Sequence, residues 1–204
     1  LSDIDGMLEY AMENYPGLPI ILYGHSMGGN IGLDDRYRGR LNGVPCAYVI
    51  SAPWIKLVRP VTGALYHTVN LMSKILPSLT IGSDIDETIL GNPKLVTGYN
   101  NDPMTHNKIS LQTAIEGFSI GNALYDGKWE KKGRGCEKPL LLMHGDSDKI
   151  CDVNGSRKLA ANEGDICTYV EWPGLYHEIH NGGPESTGEE VINKIGQWIT
   201  ETVG

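Results

Sequence analysis

Nine residues constrain this chain most. Leu22-Tyr23-Gly24-His25-Ser26-Met27-Gly28-Gly29-Asn30 puts a serine among glycines at the end of an apolar run, Pro19 to Tyr23. Gly24-His25-Ser26-Met27-Gly28 fits G-x-S-x-G, a spacing that lets a strand turn sharply into a helix. In such a turn the residues flanking the serine come so close that side chains on them would clash, so both are glycine. The turn pushes Ser26 Oγ out at the carboxyl end of the strand and aims the Met27 N–H at the same space. One residue then offers a nucleophile and the next an oxyanion donor. Read as plain structure, the same residues are a glycine-rich turn with a satisfied serine. The strand before them and the extra Gly29 favour the functional reading.

A nucleophilic serine needs a base, and the base an orienting acid. The chain is long enough, at 204 residues, for one domain with a real core. Its net charge of −8 and the absence of a basic run disfavour nucleic acid as a partner. No apolar stretch approaches membrane-spanning length. The four cysteines are scattered without a C-x-x-C, which suggests free thiols in a reducing, cytoplasmic compartment. The start at Leu1 leaves a leader open. Histidines and cysteines show no recognised zinc spacing, so no metal is expected.

Periodicity predicts a helix over Ser2–Tyr15, with Ser2 and Asp5 as a capping box and Ile4, Met7, Leu8, Ala11, Met12 and Tyr15 at helical spacing. Pro19–Tyr23 and Cys46–Ser51 read as strands. The helix after the serine is polar and uneven, with Asp34, Asp35 and Gly39. From about 54 to 136 the strand–helix alternation breaks. Leu65, Val69, Met72, Leu76 and Leu79 form an apolar stripe, and Ile109–Trp129 reads as a helix kinked at Gly117 or Gly121. This block is expected to be a mostly helical insertion; the plainer reading is ordinary core. Alternation resumes with strand Pro139–His144, a helix capped by Asp152, strand Thr168–Trp172, and a final helix capped by Ser186 or Thr187. Val191, Ile195, Trp198 and Thr202 share one face of that last helix. Strands alternating with helices argue a parallel α/β sheet.

The loop His144–Asp152 offers Asp146, Asp148 and Asp152 as the acid. Asp152 suits a helix cap and Asp146 a turn, so spacing leaves Asp148 slightly ahead. The loop Trp172–Asn181 offers His177 and His180 as the base. Among the other histidines, His25 is expected to pack within the turn and His144 to bond backbone. His67 and His106 fall in the insertion.

Four stretches in order, "YPGLPIILYGHSMGG", "NNDPMTHNKIS", "PLLLMHGDSDKICD" and "GLYHEIHN", resemble the monoacylglycerol lipase and lysophospholipase branch of the α/β-hydrolases. The likeness runs over nearly the whole chain and is weakest at 31–45 and 125–137. It implies an α/β-hydrolase fold with helices on both faces of a mostly parallel sheet. The core would be 1–52 and 137–204, and 53–136 would be a cap inserted between strands. It implies Ser26 as nucleophile, Asp148 as acid, His177 as base and Met27 N–H as oxyanion donor, with no cofactor. The substrate would be a small-molecule acyl ester, its chain in a tunnel beneath the cap, with peripheral contact between cap and lipid surface. Residues expected to meet substrate are His25, Leu65, Val69 and Met72, and also Cys151, where relatives often carry a cysteine; read plainly, Cys151 is an inert thiol. A thioesterase, a peptidase and a non-catalytic remnant of the fold are the rival readings.

Two departures stand out. Asp34-Asp35-Arg36 occupies a place where relatives keep apolar and small residues. The resemblance also implies strands, and a histidine–glycine loop completing the oxyanion hole, ahead of Ser2. Without them strand 19–23 would be an exposed apolar edge. Residues 1–204 alone would then aggregate, swap strands or need that N-terminal segment in cis or as a separate chain.

Overall fold

The computed structural model describes residues 1–83, 85–92, 102–181 and 185–204. Asn100 and Asn101, which open the second of the four stretches, lie outside the described residues. The main sheet contains β1 (Ile21–His25), β2 (Ala47–Ser51), β5 (Leu140–Gly145) and β6 (Cys167–Trp172), in the order β1-β2-β5-β6. All three pairings are parallel, in register from Ile21 opposite Ala47 to Gly145 opposite Trp172. The carboxyl ends of the strands therefore gather at one end of the sheet, where parallel α/β folds place ligands.

The central strands are buried on both faces, which their unbroken apolar runs require. Tyr48, Ile50, Leu140 and Leu142 face one layer, with Leu33 and Tyr37 of α2 (Met27–Arg38), Ile120 and Leu124 of α5 (Leu111–Asp126) and Leu159 of α6 (Val153–Glu163). Ala47, Val49, Leu141 and Met143 alternate to the other face, against Val191 and Trp198 of α7 (Glu185–Val203). Each fully buried Leu or Ile contributes about 1.5–3 kcal/mol relative to exposure. The alternation along β2 and β5 thus fuses both layers to one sheet.

The elements match the expected ones with ends shifted by up to three residues, and several details differ. The first helix, α1 (Ser2–Asn14), starts at Ser2 with no side-chain cap bond. Asp5 instead lies 3.3 Å from Arg40, which takes the carboxylate a capping box would use. Of the apolar positions predicted to line this helix, only Leu8 is buried. The last helix begins at Glu185, so Ser186 and Thr187 lie inside its first turn rather than ahead of it. Asp152 does cap α6, accepting from Asn154 N at 2.9 Å.

Between β2 and β5 the chain forms α3 (Gly63–Ser73), β3 (Thr80–Gly82), the short α4 (Glu87–Leu90), β4 (Lys108–Ser110) and α5. The antiparallel β3–β4 pair has no counterpart in the sequence reading, because three-residue strands leave too short a pattern. The segment is not uniform. Leu111, Ala114, Ile120 and Leu124 of α5 are buried, and α5 joins the core layer beside α2 and α6. On α3 no residue is buried, and Leu65, Leu71 and Met72 are exposed, as are Ile75, Leu76 and Leu79 beyond it. Gly117 and Gly121 serve close packing. A Cβ on Gly117 would come within 2.8 Å of the Trp54 ring, and one on Gly121 would overlap Ile55 O.

The polar stretch of α2 is buried. Arg36, with no exposed side-chain surface, donates to Glu163 Oε2 at 2.6 Å and to the carbonyls of Cys136 and Lys138 at 3.2 and 3.0 Å. Tyr37 donates to the second Glu163 oxygen, and Tyr48 donates to Asp35 at 3.1 Å. Burial and the Glu163 charge push the Tyr37 phenol far up, so it remains a donor at any physiological pH. A buried pair of this kind adds little net stability while both partners are present, but removing one strands the other's charge. Glu163→Leu is expected to cost about 3–5 kcal/mol in urea unfolding, far more than Arg40→Ala, whose guanidinium is exposed to solvent.

Candidate active site

Ser26 sits between β1 and α2 with φ 56° and ψ −118°, a conformation a side-chain-bearing residue adopts at a cost of about 1–3 kcal/mol. Neighbours hold it there. Ser26 N donates to Ser51 O at 3.0 Å, and Ser26 O accepts from Asn30 N at 3.1 Å and Trp54 N at 3.0 Å. Only one of the two glycines flanking the serine is sterically required. A Cβ on Gly24 would overlap the Gly28 carbonyl, but a Cβ on Gly28 would meet nothing within 4 Å. Crowding falls on Gly24 and on Gly29, where a Cβ would lie 3.0 Å from the Pro53 side chain. Met27 opens α2, so its N–H lies outside the helix ladder.

The loops after β5 and β6 bring the partners. Ser26 Oγ donates to His177 Nε2 at 2.8 Å, and His177 Nδ1–H donates to Asp148 Oδ2 at 2.7 Å. The carboxylate at Nδ1 assigns the tautomer, leaving Nε2 free to accept a proton. His177 is 2 % and Asp148 7 % exposed. Asp148 is saturated. Its Oδ1 accepts from Ile150 N and Cys151 N at 2.7 and 3.0 Å, and its Oδ2 also accepts from His144 Nε2–H at 3.0 Å. Burial opposes its charge, but hydrogen bonds from His144 and His177 prevail and hold its pKa well below the usual carboxylate range.

The rivals have other work. Asp146 accepts from Gly174 N at 2.7 Å, tying the two loops together, and Asp152 caps α6. His180 Nε2 accepts from Tyr23 OH at 3.2 Å. Gly145 completes the fit, since a Cβ there would overlap the carbonyls of Leu175 and Tyr176. Glu178 N donates to Leu90 O at 2.7 Å, which pins the His177 loop to α4.

His25 lies beside the line: Nδ1 shares a hydrogen bond with Ser51 Oγ at 3.1 Å, and its ring centroid is 4.8 Å from that of His177. Leu65, Val69 and Met72 share one face of α3, with Val69 half-buried. His144, expected to bond backbone, reaches the Cys151 carbonyl at 3.2 Å, but its stronger partners are side chains, Asp148 and Ser156, whose hydroxyl donates to Nδ1 at 2.7 Å. A histidine ending the wholly apolar run "PLLLM" was the available signal. A buried imidazole there needs two partners, and the acid is the nearest one.

Cys151 is buried and its thiol faces the Ser26 hydroxyl. Burial, then the Asp148 charge, pushes its pKa well up, outweighing the Ser26 contact. Asp148, Cys151 and His177 bring donor atoms within 4.8 Å of one another, close enough for a metal ion. They suit one poorly: both Asp148 oxygens are taken and the thiol resists ionisation. Cys151 should therefore alkylate with iodoacetamide at neutral pH roughly tenfold or more slowly than in the urea-unfolded chain, as read by mass spectrometry.

The family described as Hydrolase 4 (serine aminopeptidase, S33) matches residues 1–183. The chain belongs to this family. It is 28 % identical over 201 residues to the monoacylglycerol lipase of Mycolicibacterium smegmatis, covering 98 % of this chain and 68 % of that one. It is 29 % identical over 209 residues to human monoglyceride lipase, covering 98 % of this chain and 63 % of that one. The chain thus spans about two thirds of the length of these lipases. Among solved structures, the Paleococcus ferrophilus monoacylglycerol lipase superposes with a TM-score of 0.80 at 26 % identity, covering 98 % of this chain and 74 % of the other. The fold is the α/β-hydrolase fold. No helix among the described residues is long and apolar enough to cross a membrane.

Proposed function

We propose that this chain carries the catalytic residues of a serine carboxylester hydrolase acting on monoacylglycerols, lysophospholipids or similar acyl esters. The observation that carries the reading is the unbroken line from Ser26 Oγ through His177 to Asp148, at a strained turn on the carboxyl end of a parallel sheet. In the proposed mechanism Ser26 Oγ attacks the ester carbonyl while His177 Nε2 takes its proton. Asp148, held ionised by its donors, stabilises the imidazolium. Met27 N–H binds the oxyanion. His177 then protonates the departing alcohol, and the acyl group stays on Ser26. Water, deprotonated by His177, releases the acid and restores the serine. Each step uses groups on this chain.

The substrate class rests on similarity to the lipases. It also suits the apolar face of α3, exposed at Leu65 and Met72 and continued by Ile75, Leu76 and Leu79; within 53–136 we assign this part, and not the core-packed α5, to a cap that meets acyl chains and a lipid surface. A cleft of about 220 Å³, lined in part by Ile55, Leu57, Tyr66 and Phe118, opens where α3 and α5 face the core. The name of the matching family favours a second reading, an aminopeptidase using the same residues. Parallel assays on fatty-acyl esters and aminoacyl amides separate the two: the ester reading falls if the amides turn over and the esters do not.

Ser26→Ala should lower ester turnover by roughly a million-fold and abolish labelling by a fluorophosphonate. Activity retained in that variant, with wild-type contamination excluded, would sink the nucleophile assignment. Val69→Asp or Met72→Asp should weaken turnover of long-chain esters much more than of acetyl esters, because only long chains use that surface. Equal losses on both, with an unchanged circular dichroism spectrum, would count against the cap assignment.

A further inference from the structure

The residue after the base, Glu178, has no part in the mechanism above, yet its carboxylate sits among imidazoles. Glu178 Oε1 lies 3.2 Å from His25 Nε2, within ion-pair reach. The other nitrogen of that ring bonds Ser51 Oγ, which ties His25 to β2, while the Glu178 contact is an approach of charges without hydrogen-bond geometry; the ring lies at a 51° tilt to that of His177. Glu178, His25 and Ser51 thus line up beside the first chain, joined by a hydrogen bond at the Ser51 end and by electrostatic proximity at the Glu178 end. The backbone of Glu178 is anchored as well, by its N–H on Leu90 O.

We propose that Glu178 is a positioning residue for His177: it braces the base through His25 and supplies a second negative charge that favours the imidazolium. This inference rests on the hydrolase reading for its kinetic consequence, but not for its effect on the His177 ring itself. The contact with His25, helped by the charges of His25, His177 and His180, holds the Glu178 carboxyl below its ordinary range against the opposing effect of burial. Glu178 is therefore anionic wherever the base works. Its side chain is 28 % exposed, which distinguishes it from Asp148. Solvent weakens its pull on the imidazole without abolishing it.

Other groups face this pair from each neighbouring element. Tyr23 comes from β1; burial raises its phenol pKa, so it stays neutral. Asp148 and Cys151 come from the loop after β5, the one anionic and the other a neutral thiol. His144 lies behind Asp148. His180 is on the same loop as Glu178, and burial, then the charge of His25, depresses its pKa. Asp148, hydrogen-bonded to His177, and Glu178, which feels the His177 charge, are thus two anions beside the base. Asp148 orients Nδ1 from behind, and Glu178 acts from the side.

The sign follows. A nearby anion favours an imidazolium over the neutral ring, so removing Glu178's charge should move the acid limb of kcat/KM to lower pH. The experiment compares Glu178→Gln and Glu178→Asp with the wild type. Glu178→Gln should move the acid limb down by about half a unit to one unit. It should lower plateau kcat about three- to tenfold, as a weaker base must, with KM unchanged. Glu178→Asp, which keeps the charge, should return the limb toward its original position. The His177 imidazole is titrated in parallel by nitrogen-15 NMR in the Ser26→Ala background, where no turnover is needed. An unmoved His177 titration in Glu178→Gln would overturn the inference, as would Asp and Gln variants that behave alike. A shifted titration in a protein that hydrolyses no ester would instead sustain the role of Glu178 and sink the hydrolase reading.

Discussion

Everything at the site depends on one close approach, that of Gly24 to the carbonyl of Gly28. The chain leaves β1, reverses through Ser26 and enters α2 so tightly that a single carbon on Gly24 would overlap that oxygen. The turn holds Ser26 at φ 56°. A strain of about 1–3 kcal/mol is a sizeable fraction of a domain's net stability of about 5–15 kcal/mol. It persists because both backbone groups of Ser26 are engaged, its N–H by β2 and its carbonyl by Asn30 and Trp54. Asn30 is in turn buried, donating to the carbonyls of Trp54 and Gly117 at 2.7 and 3.0 Å. The turn, the strand beside it and α5 are locked into one unit.

The second constraint is electrostatic. A carboxylate as buried as Asp148 would take up a proton if it stood alone. Four donors prevent this, two from the backbone of its own loop and two from imidazoles. Their arrangement also fixes direction, since an oxygen already bound to His144 leaves one lobe for His177. The polar end of α2 follows the same rule farther from the site. Arg36, Tyr37 and Asp35 are buried because Glu163, Tyr48 and two carbonyls meet them. What looked in the sequence like a disturbance behind Ser26 is a buried, largely paired ionic cluster linking α2 to α6, with only Asp35 Oδ1 and Arg36 Nε left without a hydrogen bond among its described atoms.

Much of this was legible in the sequence because the signals are local. The unbroken apolar runs of β2 and β5, the 3.6-residue pattern of α1 and α7, and the Asp152 cap are short-range matters that neighbouring residues decide. The ordering of a serine turn, an aspartate loop and a histidine loop at strand ends is nearly as local, since a parallel sheet puts all its carboxyl ends together. The sequence was silent wherever two distant segments had to meet. The β3–β4 pair joins strands of three residues across a long excursion, and the glycines of α5 face Trp54 and Ile55. Neither leaves a pattern in its own stretch.

The sequence by itself thus determined that this is a parallel α/β chain with a serine turn, and it narrowed the acid and the base to a few residues in two loops. Residue types and their spacing carry that much, because backbone sterics and apolar periodicity act within a few positions. Only the tertiary structure decided what each loop residue does. Asp146, Asp148 and Asp152 are chemically alike, and so are His177 and His180. They differ in what comes to meet them: Gly174 N for Asp146, two imidazoles for Asp148, a helix end for Asp152, Ser26 for His177 and Tyr23 for His180. Burial and hydrogen-bond satisfaction depend on all neighbours at once, and most of those neighbours are far away along the chain.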